Sequence, residues 1–375
     1  RLIIPECDDC LLNNMIDDGV FVEPEFYVPC IPMVLANPCK AAIGTGWSST
    51  IPGFNPLDLI RCIKIWLDND GCAADEEGNS LFPDLLPWYR GFRGVIEQID
   101  TNKFMTYGII DRIDESTVVV RELPVGMWTE DFESMLQDMK AEKDPKKMKI
   151  KSFRINYTVS EVYFEIDEER GFTCDENTLK LSKPVNTSNM VLFNEQHQLQ
   201  KFNSPDEIID QYCRVKYEYT VKRKIRLLSD WKTELMLNEN KKRFITEIID
   251  KDLIIFQRDE DEVIVDMEDR GYYKNEKHDD SADEDKRSQN SERGYDYLLK
   301  MHMRSFTKNK IDEIQKEIVR LKKLISGMKK TSEKQLWLND INIFEKEYIK
   351  MITRLEKELD QAVPAKKSKR TVRKK

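Results

Sequence analysis

The sequence predicts an α+β body followed by a long antiparallel helical arm with a small module at its tip. Three observations carry this reading. Nearly all strand-like segments fall within residues 33–200. From Ser204 onward the pattern changes to helical periodicity. Two long helical stretches, 204–251 and 306–361, bracket a shorter segment at 252–305. Long helices with matched apolar stripes bury one another, which holds whatever lies between them away from the body.

Residues 1–32 mix apolar pairs with Pro5, Asp8, Asp9, Pro24 and Pro29, the texture of loops and short elements. A helix is predicted over Pro56–Leu67. Strands are predicted at Val118-Val119-Val120, in the alternating stretch from Tyr157 to Ile166, and at Met190-Val191-Leu192-Phe193. Ser204-Pro205-Asp206-Glu207 is a helix start, with a capping hydroxyl, proline in the first turn and then acids. The helix it opens is expected to run to about Lys251, with Ile208, Tyr212, Val215, Tyr219, Leu228, Trp231 and Leu235 among its apolar positions. A small α/β patch is expected at 252–273. Residues 276–292 hold seven acids and a single alanine as their only apolar residue, the composition of a disordered insertion. Ile311, Ile314, Ile318, Leu321, Ile325 and Met328 are spaced 3-4-3-4-3, a heptad seam. Gly327 and Lys329-Lys330-Thr331-Ser332 interrupt it, and Ile341, Phe344, Tyr348, Met351 and Leu355 resume it. Residues 364–375 carry seven basic residues and no acid. A nuclear-import signal, a weak phosphate binder and a solubilising end are all compatible with that tail.

The 375 residues are length enough for two to three domains, and 34% of them are charged, above the usual quarter. Net charge is −9, so the chain as a whole is not a basic nucleic-acid binder and charge has to be read locally. No run of about 18 apolar residues occurs, and no membrane partner is expected. The opening at Arg1 reads as a piece of a longer polypeptide. Eight scattered cysteines read as reduced thiols. Cys7 and Cys10 form a C-x-x-C without a second ligand pair, so no metal site is expected. The three histidines, His197, His278 and His302, fit no metalloprotease or hydrolase motif, and no P-loop is present.

One series of blocks carries more than composition does. Glu23-Pro24-Glu25-Phe26-Tyr27-Val28-Pro29 is followed by Ile31-Pro32-Met33-Val34-Leu35, then by Ile43-Gly44-Thr45-Gly46-Trp47-Ser48. Ile51-Pro52, Asn55-Pro56, Leu123-Pro124-Val125 with Trp128-Thr129, and Asn189-Met190-Val191-Leu192-Phe193 come next. Tyr295-Asp296-Tyr297-Leu298-Leu299, Leu336-Trp337, Asp340 and Phe344 complete the series. In order and spacing these blocks resemble type II DNA topoisomerases of the eukaryotic and viral branch. The bacterial gyrase branch fits less well, and no β-pinwheel repeats are seen.

The resemblance implies a domain for each region. Residues 1–32 would end a winged-helix domain, and 33–203 would be a tower, or shoulder, domain that bends DNA. Residues 204–251 and 306–361 would be the two helices of a coiled-coil arm. Residues 252–305 would be the exit gate at its tip, where two protomers of a homodimer meet, and 362–375 a basic tail. The implied reaction is ATP-driven passage of one DNA duplex through a transient double-strand break in another. A tyrosine attacks a backbone phosphate and magnesium stabilises developing charge. The nucleophile is expected just upstream of Arg1, so no catalytic residue is assigned within the chain. ATP and Mg2+ belong to the full enzyme and neither is expected on this segment.

This segment would bind and bend double-stranded DNA. Ile43 matches the family's wedge residue, which inserts between base pairs, and Gly44 and Gly46 would let the backbone approach closely. Its other reading is a buried loop anchor. Trp128 matches a tryptophan near the DNA, with a core aromatic as the alternative. The stretch 180–189 matches a DNA-contacting segment and contributes Lys180, Ser182, Lys183, Asn186, Thr187, Ser188 and Asn189, the side-chain types that phosphate contacts use. A basic run at 140–154 would extend the track or be a solvated loop. Two departures stand out. One residue more than the family pattern lies between Asn37 and Ile43, and Gly126 stands where the family has arginine. The implied location is the nucleus, or a viral replication site. The alternative is a non-catalytic DNA-binding scaffold or split-gene subunit that needs a partner chain carrying the tyrosine.

Overall fold

The computed structural model describes residues 1–142, 149–157, 161–275 and 294–362. The acidic stretch 276–292, the basic stretch 364–375 and the middle of the basic run 140–154 lie outside the described residues. The chain divides into two compact units, one of Arg1–Tyr219 with the segment from Trp337, the other of Thr220–Leu336.

A short 3-10 turn at Glu6–Leu11 precedes a hairpin of β1 (Asn14–Asp17) and β2 (Val20–Pro24). One helical turn, α1 (Met33–Ala36), leads into a second hairpin, β3 (Cys39–Gly44) and β4 (Trp47–Ile51), followed by α2 (Pro56–Asp68). Asn55 caps α2 by accepting the Leu57 N–H at 3.0 Å, and Pro56 takes the first helical position, where no N–H is needed. Next come β5 (Val95–Asp100), β6 (Lys103–Tyr107), β7 (Ile109–Arg112) and β8 (Thr117–Glu122), then α3 (Thr129–Ala141). The remaining strands are β9 (Ile150–Ile155), β10 (Phe164–Glu168), β11 (Ser182–Asn186), β12 (Met190–Phe193) and β13 (Leu199–Phe202). All pairings between these strands are antiparallel, with larger sheets ordered β7-β8-β10-β9 and β11-β6-β5.

The larger core of the first unit gathers Leu59, Ile60, Ile63, Trp66 and Leu67 from α2, whose spacing puts them on one helical face. Ile208, Ile209, Trp337 and Ile341 join them. Fully burying each such side chain contributes roughly 1.5–3 kcal/mol. The two buried indoles keep their N–H groups bonded, Trp66 to Asp210 Oδ1 at 2.8 Å and Trp337 to the Cys30 carbonyl at 3.3 Å. A buried ion pair, Lys216 Nζ to Asp8 Oδ2 at 3.2 Å, ties the first residues to the long helix, and the Val28 carbonyl accepts from the same ammonium at 3.0 Å. A second core packs Phe132 and Leu136 of α3 on Val118, Val120, Phe164 and Ile166 of the four-stranded sheet.

The long helix α4 runs from Pro205 to Ile249, close to its expected bounds. Beyond it lie α5 (Glu260–Asp269), α6 (Asp296–Leu299), α7 (Lys308–Lys330) and α8 (Glu333–Ala362). In the second unit α7 runs antiparallel to α4: Ile314 and Ile318 pack on Ile245, Lys242 reaches Gln315 at 2.8 Å, and Glu239 pairs with Lys322 at 2.7 Å. Lys224 meets Glu333 at 3.0 Å further along. Every residue of the predicted seam from Ile311 to Met328 is buried or half-buried. The second helical stretch is two helices rather than one. They part at Thr331-Ser332, where the Ser332 hydroxyl accepts the Gln335 N–H at 3.1 Å as a new cap.

Two strand expectations are corrected. The region 252–273 contains helix α5 and no strand among the described residues, because Val263 and Met267, four apart, both turn into a small core with Phe244, Leu253, Tyr272, Tyr295 and Leu298. The strand expected from Tyr157 begins only at Phe164, where Phe164 and Ile166 face the core between β8 and β9.

Candidate nucleic-acid interface

Ile43 sits near the tip of the β3–β4 hairpin, opposite Ser48, and is 84% exposed, which excludes the buried-anchor reading. Between Cys39 and Ala42 the hairpin slips register: β3 advances three residues while β4 moves two, from Ile51 to Ser49. That is a one-residue β-bulge, with Ala41 in the left-handed region at φ 56°. The bulge lies below the tip, and beyond it the register is regular, with Ile43 paired to Ser48. At the tip, a Cβ on Gly44 would lie 2.4 Å from Trp47 Nε1, so only glycine lets the indole fold over the turn. Trp47 in turn meets Phe193 edge-on at 5.7 Å between ring centres.

The stretch 180–189 borders two of the other candidate elements. At its far end the Asn189 amide donates to the Ser48 carbonyl at 3.2 Å and to the Ser48 hydroxyl at 3.1 Å, while the Asn189 carbonyl accepts the Thr50 N–H at 2.8 Å. The Ser49 hydroxyl accepts the Val191 N–H at 3.1 Å. The Ile43 hairpin is therefore held against the start of β12. At the near end, Lys183 Nζ donates to the Gly126 carbonyl at 2.5 Å, which joins β11 to the loop carrying Trp128. Gly126 has φ 82°, the left-handed region that glycine adopts without strain.

Trp128 is the residue before α3 and is 71% exposed, so the core-aromatic reading does not hold. Lys180, Asn186 and Ser188 are exposed, while Ser182 and Asn189 are half-buried. Lys180 occupies the left-handed region at φ 51° in the turn before β11. Thr187 is the exception. It is 1% exposed, and its hydroxyl lies 3.2 Å from Asn102 Oδ1, so it faces the protein and holds the β5–β6 turn rather than offering a contact to a ligand. Ser48, Ser49 and Asn102 received no role from sequence. Their parts depend on partners 85 to 142 positions away, for which a single sequence carries no local signal.

The profile of the family described as the A-subunit of DNA gyrase/topoisomerase IV matches residues 1–343. A DNA topoisomerase 2 of Arabidopsis thaliana is 30% identical over 402 residues, covering 98% of this chain and 26% of that protein. A DNA topoisomerase 2 of Invertebrate iridescent virus 6 is 31% identical over 345 residues, covering 91% of this chain and 28% of that protein. The chain thus spans about a quarter of the length of these relatives. Among solved structures, the Plasmodium falciparum topoisomerase II DNA-binding, cleavage and re-ligation domain superposes with a TM-score of 0.78 at 27% identity, over 96% of this chain and 49% of that one. Sequence blocks, family profile and fold agree over nearly the whole length, and the chain belongs to the DNA gyrase/topoisomerase IV A-subunit family of type II topoisomerases.

Proposed function

We propose that this chain is the DNA-bending and exit-gate part of an ATP-dependent type II DNA topoisomerase, which passes one duplex through a transient double-strand break in another. Nuclear DNA, or viral DNA at its replication site, is the substrate class that fits its relatives. The observation that carries the bending role is Ile43, a stiff β-branched side chain that is 84% exposed on a braced hairpin. An apolar wedge opens a base step at a cost of a few kcal/mol, offset by the wider contact that bent DNA makes. Lys180, Asn186 and Ser188 supply backbone contacts that set position rather than read sequence. Trp128 offers an aromatic face beside them. Lys183, Thr187 and Asn189 hold this surface in place through their bonds to Gly126, Asn102 and Ser48, and half-buried Ser182 stays a candidate backbone contact.

On the same reading, the paired helices of the second unit are the coiled-coil arm and the core around Phe244 and Tyr272 is the exit gate. Ile254, Phe256 and Val265 are exposed there, at 57%, 62% and 56%, and we assign them to the contact between protomers. The tyrosine nucleophile, the ATPase and magnesium chemistry come from other parts of the enzyme. Among the described residues no three His, Cys, Asp or Glu side chains are grouped to hold a metal ion.

Bending is tested by end-to-end energy transfer on a labelled duplex of about 30 base pairs, using the native polypeptide that contains this chain. Ile43→Ala is expected to relax the bend with little loss of fold. An unchanged bend would remove Ile43 from the wedge role.

A further inference from the structure

We propose that the turn Trp88–Gly94 is a second phosphate-binding element of this surface, with Arg90 and Arg93 as its cations and the backbone of duplex DNA as its ligand. The inference rests on the DNA-binding reading above and adds two residues that neither the sequence blocks nor the resemblance singled out.

The first observation is electrostatic. In a chain of net charge −9, arginines are mostly consumed by carboxylates. Arg61, Arg112, Arg154, Arg214, Arg258 and Arg270, for example, each lie within 4 Å of one. Arg90 and Arg93 are exposed and have no ion pair among the described residues. At the turn the Glu122 carboxylate is committed to main chain: it accepts the Arg93 N–H at 3.3 Å and the Leu123 N–H at 3.1 Å. Two unconsumed guanidiniums three residues apart make a local positive site on an acidic protein, and guanidinium is the side chain best matched to phosphate.

The second observation is position. The Trp88 N–H donates to the Gly53 carbonyl at 2.7 Å, just beyond the end of β4, so the turn begins at the base of the Ile43 hairpin. The chain then closes through the Phe92 N–H and the Tyr89 carbonyl at 3.2 Å and enters β5. There Val95 pairs with Tyr107 of β6, and Tyr107 pairs with Ser182 of β11 on its other side. The two arginines therefore lie on the connection between the wedge hairpin and the sheet that carries Lys183 and Asn186. Trp88 and Tyr89 are half-buried and anchor one side of the turn while the guanidiniums stay in solvent.

The test is the salt dependence of duplex binding, read by fluorescence anisotropy on the native polypeptide. Each phosphate contact contributes about 0.9 to the slope of log affinity against log salt, so Arg90→Ala/Arg93→Ala is expected to flatten the slope by about 1.8. The affinity gap to the parent protein then narrows about tenfold between about 50 and about 200 mM salt. Arg90→Lys/Arg93→Lys is expected to restore most of the slope, and Arg170→Ala, which removes another exposed arginine, to leave it unchanged. A double alanine variant that melts normally and keeps the parent slope overturns the proposal. An equal loss with Arg170→Ala overturns it as well, since the effect would then be bulk charge. If the parent protein binds duplex without salt dependence, the DNA-binding reading fails first.

Discussion

Single residues show how charge is managed in a chain of this composition. Glu168 carries the clearest case. Its carboxylate accepts two bonds from the Arg112 guanidinium, both at 2.9 Å, and a third from the Cys174 N–H at 2.6 Å, and it is 7% exposed. The Arg112 hydrogen bonds hold Glu168 below the ordinary glutamate value of 4.5, against the opposing effect of burial. A depressed carboxylate contributes stability that is fully present above its unfolded pKa and is lost as pH falls through the folded one. Arg112→Ala is therefore expected to destabilise the fold at neutral pH, with the difference shrinking as pH drops below 4.5. Urea unfolding of both proteins at neutral and acid pH checks this. A constant difference across the range would mean that Arg112 acts through packing alone.

At the scale of elements, the Ile43 hairpin is informative because little of what positions it is local. Its bulge and its glycine turn are written into Lys40-Ala41-Ala42 and Gly44-Thr45-Gly46, but its orientation comes from Asn189 and Phe193. Asn189→Ala removes both side-chain bonds to Ser48 and is expected to cost about 1–2 kcal/mol locally. Hydrogen exchange at Ser48–Thr50 should quicken while the global melting temperature moves little. Unchanged protection there would mean that the Trp47–Phe193 contact suffices. The helices behave differently. The start of α4, the span of α2 and the seam of α7 follow from neighbouring residues, and all three stand close to where periodicity and the helix-start signal put them. The strand at 157–166 and the patch at 252–273 are less legible in sequence for the converse reason: a strand is completed by a distant partner, and short apolar runs suit either period.

For the whole molecule, the exposed apolar residues of the second unit define the remaining prediction. Ile254, Phe256 and Val265 stand out over a core that is otherwise closed. On the proposed protomer contact, Phe256→Asp is expected to shift the native polypeptide toward monomer in sedimentation velocity, and on the proposed DNA-binding role to leave duplex binding by a single protomer intact. An unchanged dimer would place the protomer contact elsewhere. The substitution is well tolerated by the fold on this account, since Phe256 is 62% exposed.

The sequence by itself determined the family, the order of strand-rich and helical regions, and the helix starts and seam, because periodicity, caps and motif blocks are local and survive in one dimension. Tertiary structure alone decided which candidate residues reach solvent. It turned Thr187 inward, left Ile43 and Trp128 outward, joined Asn189 to Ser48 across 141 positions, and left the Arg90 and Arg93 side chains without an ion pair among the described residues. Exposure and pairing are set by contacts between residues far apart along the chain, and no window of neighbouring residues contains them.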